Sequence, residues 1–145
     1  MKRVYVDSNV FLYAMGTEHP HRDPCRKVLH AIDSGSLRGE TSVETLQEVV
    51  NHRLRRGDPN ATANARAVAT ACSTVHRLDE EIIGMALDLI DAYPRLWARD
   101  AVHAATARMR GLSHLVSADR DFDGIDGLVR VDPLDSDAFT ALASE

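Results

Sequence analysis

The sequence predicts an α/β fold: a three-layer α/β/α sandwich in which helices cover both faces of a mainly parallel five-stranded sheet. Two observations predict it. Strand-like segments alternate with helical-period segments along the chain, the pattern that parallel sheets with right-handed crossovers produce. Two strand candidates, "RVYVD" and "HLVSAD", stay almost continuously apolar up to a closing aspartate, as strands buried on both faces do. No linker, repeat or low-complexity stretch interrupts the 145 residues, so they read as one domain over 1–145, long enough to bury a core.

The elements follow in order. Residues 3–7 form a strand, and Ser8 is placed to cap a short helix over 9–14. Proline before and glycine after "RDPCRKVLHAID" bound a helix over 22–34. "LRGETS" (37–42) is a weak strand. Ser42 then caps a helix whose apolar stripe is Val43, Leu46, Val50 and Leu54, and Gly57 stops it. Asp58 before Pro59 starts the next helix, and "TVHRLD" makes a short strand. Ile82, Ile83, Ala86, Leu87 and Ile90 repeat at helical spacing, and the alanine-rich "ARDAVHAATARMRG" is a further helix ending at Gly111. "HLVSAD" (114–119) and "LVRVDP" are strands, and "DSDAFTALAS" closes the chain as a helix.

Composition excludes several classes. The net charge is −5, so no global basic field recruits nucleic acid; binding a polyanion requires a local basic patch or a bound cation. Cys25 and Cys72 are far apart and outside any CxxC spacing, which makes them small buried thiols of a reducing compartment. No stretch approaches the roughly 18 apolar residues of a membrane span, and Asp7 breaks the first apolar run too early for a signal peptide, so the expected location is cytoplasmic. The seven histidines include no HxxxH or HExxH pair, which removes the usual zinc motifs. His103, one turn after Asp100, reads as a helix-packing residue, and Trp97 as buried or at an interface, since nothing aromatic surrounds it.

The candidate chemistry is acidic. Asp7 and Asp119 both end strands, and ligands of open parallel sheets bind beyond those strand ends. Asp100 opens the alanine-rich helix, and Glu48 lies on the 43–56 helix opposite its apolar stripe, where periodicity alone places it in solvent. Asp121 and Asp123 follow Asp119 closely. Carboxylates gathered within about 4 Å repel by about 4 kcal/mol per pair in a surface-like dielectric, so they take up protons or bind a cation. All-oxygen donor sets favour Mg²⁺ or Mn²⁺, and such an ion orients a phosphodiester and activates water.

"VYVDSNVFLY", "SVETLQEVVNHRLRRG", "RDAVHAATARMRG" and "LVSADRDFDGI" resemble, in order, the successive motifs of PIN-domain nucleases, and the short chain is similar to the VapC-type toxins of toxin–antitoxin pairs. The resemblance implies that Asp7, Glu48, Asp100 and Asp119 are the catalytic, metal-holding residues, with Glu44 the competitor for the place of Glu48. Asp121 matches the second aspartate of the last motif and ranks below the four; Asn9 and Ser117, with serine where threonine is commoner, are outer hydrogen-bonding partners. It further implies a Mg²⁺-dependent endoribonuclease in which activated water attacks the phosphate in line, a cognate VapB-type antitoxin that places a basic side chain in the cleft, and a homodimer. Arg53, Arg55 and Arg56, the densest basic run, and Arg99 are the candidate RNA contacts. A PIN fold that has lost catalysis and serves as a scaffold, and a metal-dependent DNA nuclease, are the rival readings. A phosphoacceptor receiver module fits poorly, because the only lysines are Lys2 and Lys27 and neither lies near the C-terminus.

Overall fold

The structure, a computed structural model, describes residues 2–145. Five strands, β1 (Lys2–Val6), β2 (Leu37–Ser42), β3 (Thr74–His76), β4 (His114–Val116) and β5 (Val129–Val131), pair in the order β3-β2-β1-β4-β5, all parallel. Between and after them come α1 (Ser8–Met15), α2 (Arg22–Asp33), α3 (Val43–Arg55), α4 (Ala61–Ala71), α5 (Glu80–Ala92), α6 (Ala98–Met109) and α7 (Ser136–Ala143), with a 3-10 turn over Arg120–Phe122.

The alternation of side chains along β1 builds two cores. Tyr5, with Leu115 of β4, faces Ile82, Ala86 and Leu89 of α5 and the buried alanines Ala101, Ala104 and Ala105 of α6. Val4 and Val6, with Val116 and Val131, face Val10 and Phe11 of α1, Val28 of α2, Val49 of α3, Val68 of α4 and Leu142 of α7. Both faces of β1 are thus covered, which is why Val4, Tyr5 and Val6 are all fully buried and why the strand reads as continuously apolar. Cys25 and Cys72 are free thiols, and burial pushes both up to about 12, so neither is a nucleophile at neutral pH.

The weak strand β2 is assembled by partners that lie elsewhere in the sequence. Glu40 is buried, and it accepts hydrogen bonds from Arg3 Nε at 2.5 Å and Nη2 at 3.1 Å, while His76 Nε2 lies 2.8 Å away on β3. A carboxylate shared by three adjacent strands ties the sheet edge together. A Cβ at Gly39 would sit 2.7 Å from Ile32 Cδ1, so the glycine lets the Ile32 side chain of α2 pack directly on the strand. These features make "LRGETS" a buried strand with an unpromising sequence.

Caps and faces differ locally from the sequence reading. Asp7, not Ser8, is the N-cap of α1, accepting from the Ser8 amide at 2.7 Å. Ser42 sits at the α3 N-cap position but its hydroxyl makes no capping bond; it lies 2.7 Å from Tyr5 Oη instead. Along α3 the buried residues are Glu44, Thr45 and Val49, whereas Val43 and Leu54 of the expected stripe are 41% and 60% exposed. Glu44 and Thr45 are buried and Glu48 bonds Ser8 and His103, so part of the inward face is polar and does not register as an apolar stripe. On α5, Ile83 and Leu87 are likewise exposed at 40% and 59%, and Trp97 is 78% exposed, which corrects any reading of it as a core residue.

Strand order reverses at β1: the chain runs from β1 to β2 on one side and returns to β4 on the other. The crevice beyond the carboxyl ends of β1 and β4 is therefore the place where this topology opens a ligand site.

Candidate active site

Asp7 emerges from β1 into that crevice almost completely buried. Its Oδ1 accepts from the Ser8 amide at 2.7 Å, and its Oδ2 accepts from Ser117 Oγ, just past β4, also at 2.7 Å. Ser117 is itself fully buried, and its Oγ also accepts from Asn9 Nδ2 and from the Asp119 amide, each at 3.0 Å. One hydroxyl therefore fixes both strand ends and the first residue of the acidic turn. Burial holds the Asp7 carboxyl above its ordinary range, against the opposing pull of His103 and the Ser117 hydrogen bond.

Glu48 reaches the same place from α3. It is half-buried, not solvated, because Ser8 Oγ donates to its Oε2 at 3.0 Å and His103 Nε2 hydrogen-bonds its Oε1. Burial alone would raise its pKa; the His103 hydrogen bond and charge, with help from Ser8 and Arg99, hold it below the ordinary value. His103 is completely buried on α6, 3.5 Å from Asp7 Oδ1, with Nδ1 2.6 Å from Tyr5 Oη. Burial opposes its protonation, but Tyr5, Asp7 and Glu48 around it reverse that and raise its pKa well above the usual value. With the ring protonated, both nitrogens donate, Nε2 to Glu48 and Nδ1 to Tyr5 Oη, which leaves the tyrosine hydroxyl to donate to Ser42 Oγ at 2.7 Å. His103 is thus the cation around which Asp7 and Glu48 are arranged. Its one-turn offset from Asp100 was the only signal for this in the sequence, and Ser8, which links Asp7 to Glu48, gave none beyond its place next to Asp7.

Near Asp7 and Glu48 lie three more carboxylates. Asp100, in the first turn of α6, Asp119, the cap of the 3-10 turn, and Asp121 within it bring one oxygen each to within 4.8 Å of one another. The turn sets this: Asp119 Oδ1 accepts from the Asp121 amide at 2.9 Å, which folds the two side chains to one side. Asp123 is drawn away by Arg130, whose Nε donates to it at 2.6 Å. Arg95 donates to the Asp121 and Asp123 carbonyls and pins the turn against the loop before α6. Asp121 therefore converges with Asp100 and Asp119, while Glu48 lies outside that trio but near enough for its charge to act on Asp100. Burial, then the charges of Asp7 and Asp119, with Glu48 adding to them, push Asp100 up to about 7. Such concentrated negative charge would be relieved by a cation, and the donors are all carboxylate oxygens, which could hold a hard divalent ion.

Other candidates fall at or beyond the rim. Glu44 is buried, with its carboxylate 3.6 Å from Arg99 Nε and outside the trio. Arg53 is held by Asp58 at 2.7 Å, a carboxylate that also accepts from Asn64 and so fixes the turn from α3 to α4. Arg55 and Arg56 are exposed.

A PIN domain family model matches residues 4–128. The chain belongs to the PIN domain family. Among its relatives in that family, Ribonuclease VapC7 of Mycobacterium tuberculosis is 39% identical over 132 residues, spanning 90% of this chain and 91% of the relative. Ribonuclease VapC23 of the same species is 32% identical over 116 residues, spanning 80% and 92%. Among solved PIN structures, that of M. tuberculosis VapC20, described as a Sarcin-Ricin loop cleaving toxin, covers 88% of this chain and 98% of its own with a TM-score of 0.71 at 19% identity. The Rickettsia felis VapBC2 complex, bound to a promoter DNA fragment, matches with the same TM-score of 0.71 at 13% identity, covering 90% and 98%. These structural likenesses support the three-layer fold with its parallel sheet.

Proposed function

We propose that this PIN domain is a VapC-type endoribonuclease toxin that hydrolyses RNA phosphodiester bonds with Mg²⁺, or Mn²⁺ in its place. The observation that carries the reading is the convergence of Asp100, Asp119 and Asp121 close to buried Asp7 and half-buried Glu48, at the sheet's switch point. The relatives' ribonuclease names support the choice of RNA.

Asp100, Asp119 and Asp121 would hold the ion directly, and Asp7 and Glu48 through their remaining lone pairs or through water. A bound divalent ion supplies Lewis-acid polarisation of the phosphodiester and lowers the pKa of water. The protein's own contribution is placement. Ser117 and the Ser8 amide fix both oxygens of Asp7, Ser8 and His103 fix both oxygens of Glu48, and the 3-10 turn fixes Asp119 against Asp121. Carboxylates held this way need no rearrangement when phosphate charge arrives. Arg99, 59% exposed beside Glu44, is positioned to meet a phosphate at the cleft edge.

A VapB-type antitoxin is the expected partner, in keeping with VapBC complexes among the structural neighbours. Exposed Ile83 and Leu87, one turn apart on α5, and Trp97 are the apolar residues from which a homodimer contact would be drawn. No helix among the described residues is long and apolar enough to cross a membrane, in keeping with a cytoplasmic toxin. The test uses end-labelled single-stranded RNA and DNA of one sequence, with Mg²⁺ or with EDTA. RNA alone is cut, only with metal, leaving 5′-phosphate ends, and Asp119→Asn loses at least about 100-fold in rate, the loss of roughly 3 kcal/mol of transition-state stabilisation. Undiminished cutting in EDTA, or by Asp119→Asn, would sink the proposal.

A further inference from the structure

A cavity of about 290 Å³ opens between α1 and the C-terminal half of α3, lined in part by Asn9, Tyr13, His19, His52, Arg53 and Arg56. None of its lining residues is acidic, in a chain whose net charge is −5. Its two sides differ in chemistry. On one, Tyr13 stacks with His19, ring centroids 4.6 Å apart and planes at 26°, and lies 4.9 Å from His21. On the other, Arg53, Arg56 and His52 supply donors. Arg53 is shared with Asp58, but Arg56 has no carboxylate partner among the described residues, and His52 Nδ1 is buried without a hydrogen bond. Burial first, then the charges of Arg56, Arg53 and Arg55, hold the His52 imidazole below its usual pKa, which marks a locally positive potential.

The cavity shares a wall with the acidic centre. Asn9, which lines it, donates to the Ser117 hydroxyl that holds Asp7. Two hydrogen bonds, Asn9 to Ser117 and Ser117 to Asp7, are all that separate this space from the first carboxylate of the site, so the two regions adjoin. We infer that the cavity between α1 and α3 is a nucleotide subsite, in which a base stacks on the Tyr13–His19 platform while its phosphate meets Arg56 and His52. The inference rests on the nuclease reading for its biological ligand, and it adds a second point of grip that a cleft lined by carboxylates lacks. Stacking is tolerant of base identity, so the subsite supplies affinity and register more than sequence choice.

The test separates this subsite from catalysis by working in EDTA. Histidine ring-proton NMR signals are followed as 5′-AMP, adenosine or inorganic phosphate is added at millimolar concentration to the full chain. AMP shifts the His19 and His52 signals and leaves His30 and His114 unmoved; adenosine and phosphate each bind more weakly. Arg56→Gln, an exposed substitution that removes no internal contact, weakens AMP roughly fivefold, the loss of one charge-assisted hydrogen bond, and raises the KM for RNA. Arg66→Gln on α4 serves as the control and changes neither. Unmoved His19 and His52 signals, AMP binding by Arg56→Gln as tight as by the wild type, or phosphate binding as well as AMP would each overturn the inference. A protein that binds AMP here but cuts no RNA would refute the nuclease reading and leave the subsite standing.

Discussion

Asp100→Asn should make the metal-free protein more stable while destroying its metal site. In the fold, burial and the charges of Asp7, Asp119 and Glu48 move the Asp100 carboxyl from 3.8 to about 7. At about 1.4 kcal/mol per tenfold change in proton affinity, that rise corresponds to about 4 kcal/mol. The side chain is only partly buried, and solvent screening halves this to about 2 kcal/mol. The sign follows from proton linkage. Below 3.8 both folded and unfolded chains hold the proton and Asp100 costs nothing; between 3.8 and about 7 only the folded chain holds it, so stability falls as pH rises; above about 7 the loss is complete. Asparagine keeps the shape and removes the charge. Urea unfolding in EDTA should therefore show Asp100→Asn about 2 kcal/mol more stable than wild type at pH 8, with the gap closing towards pH 4. Mn²⁺ should reverse the ranking, since it stabilises only the chain that binds it. An Asp100→Asn protein less stable than wild type at pH 8 in EDTA would show that the carboxylates do not repel one another, and the electrostatic reasoning would fail.

Two further substitutions test how the site and the sheet edge are held. Tyr5→Phe strands His103 Nδ1 and Ser42 Oγ, whose partner hydroxyl lies at 2.6 and 2.7 Å in a fully buried setting; the expected loss is about 2 kcal/mol by urea unfolding, with weakened Mn²⁺ binding because Glu48 loses its fixed imidazolium. A loss under about 0.5 kcal/mol would mean that the chain of hydrogen bonds does not form. Glu40→Gln removes the charge that Arg3 and His76 share; Arg3 is 45% exposed, so the cost is discounted to about 2 kcal/mol. Although burial opposes it, those partners hold the Glu40 carboxyl below 4.5, so its contribution is present above that value and is lost as pH falls through the lower folded pKa. The gap between wild type and Glu40→Gln should shrink in acid; a gap independent of pH would show that charge is not what Glu40 contributes.

What could be read in advance follows from what periodicity measures. Strands β1 and β4 were legible because both their faces are covered, and Asp7 directly follows β1 as expected. Strand β4 stops at Val116, short of the expected 114–119, so Asp119 lies three residues beyond it as the cap of the 3-10 turn. The place of α3 in order was legible, but its inward face was not: Glu44, Thr45 and Glu48 face inward with Val49, and hydrophobic spacing counts such polar positions as solvent. β2 was faint because Glu40 is buried with partners 37 and 36 residues away, a pairing no local pattern encodes. The convergence of Asp121 with Asp100 and Asp119 is not legible locally, because it depends on the 3-10 turn and on Arg130 pairing with Asp123 instead. The sequence reads His103 as helix packing, because the carboxylates that meet its Nε2 come from two other elements.

The most direct measurement is an anomalous difference map from crystals of the metal-free protein soaked in Mn²⁺. The expected result is a peak in contact with the carboxylates of Asp100, Asp119 and Asp121, at about 2.2 Å as hard-cation–oxygen bonds require, and no such peak in Asp119→Asn. A map with Mn²⁺ only elsewhere on the surface, in crystals of protein that still cuts RNA, would contradict the assignment of this cleft as the metal centre.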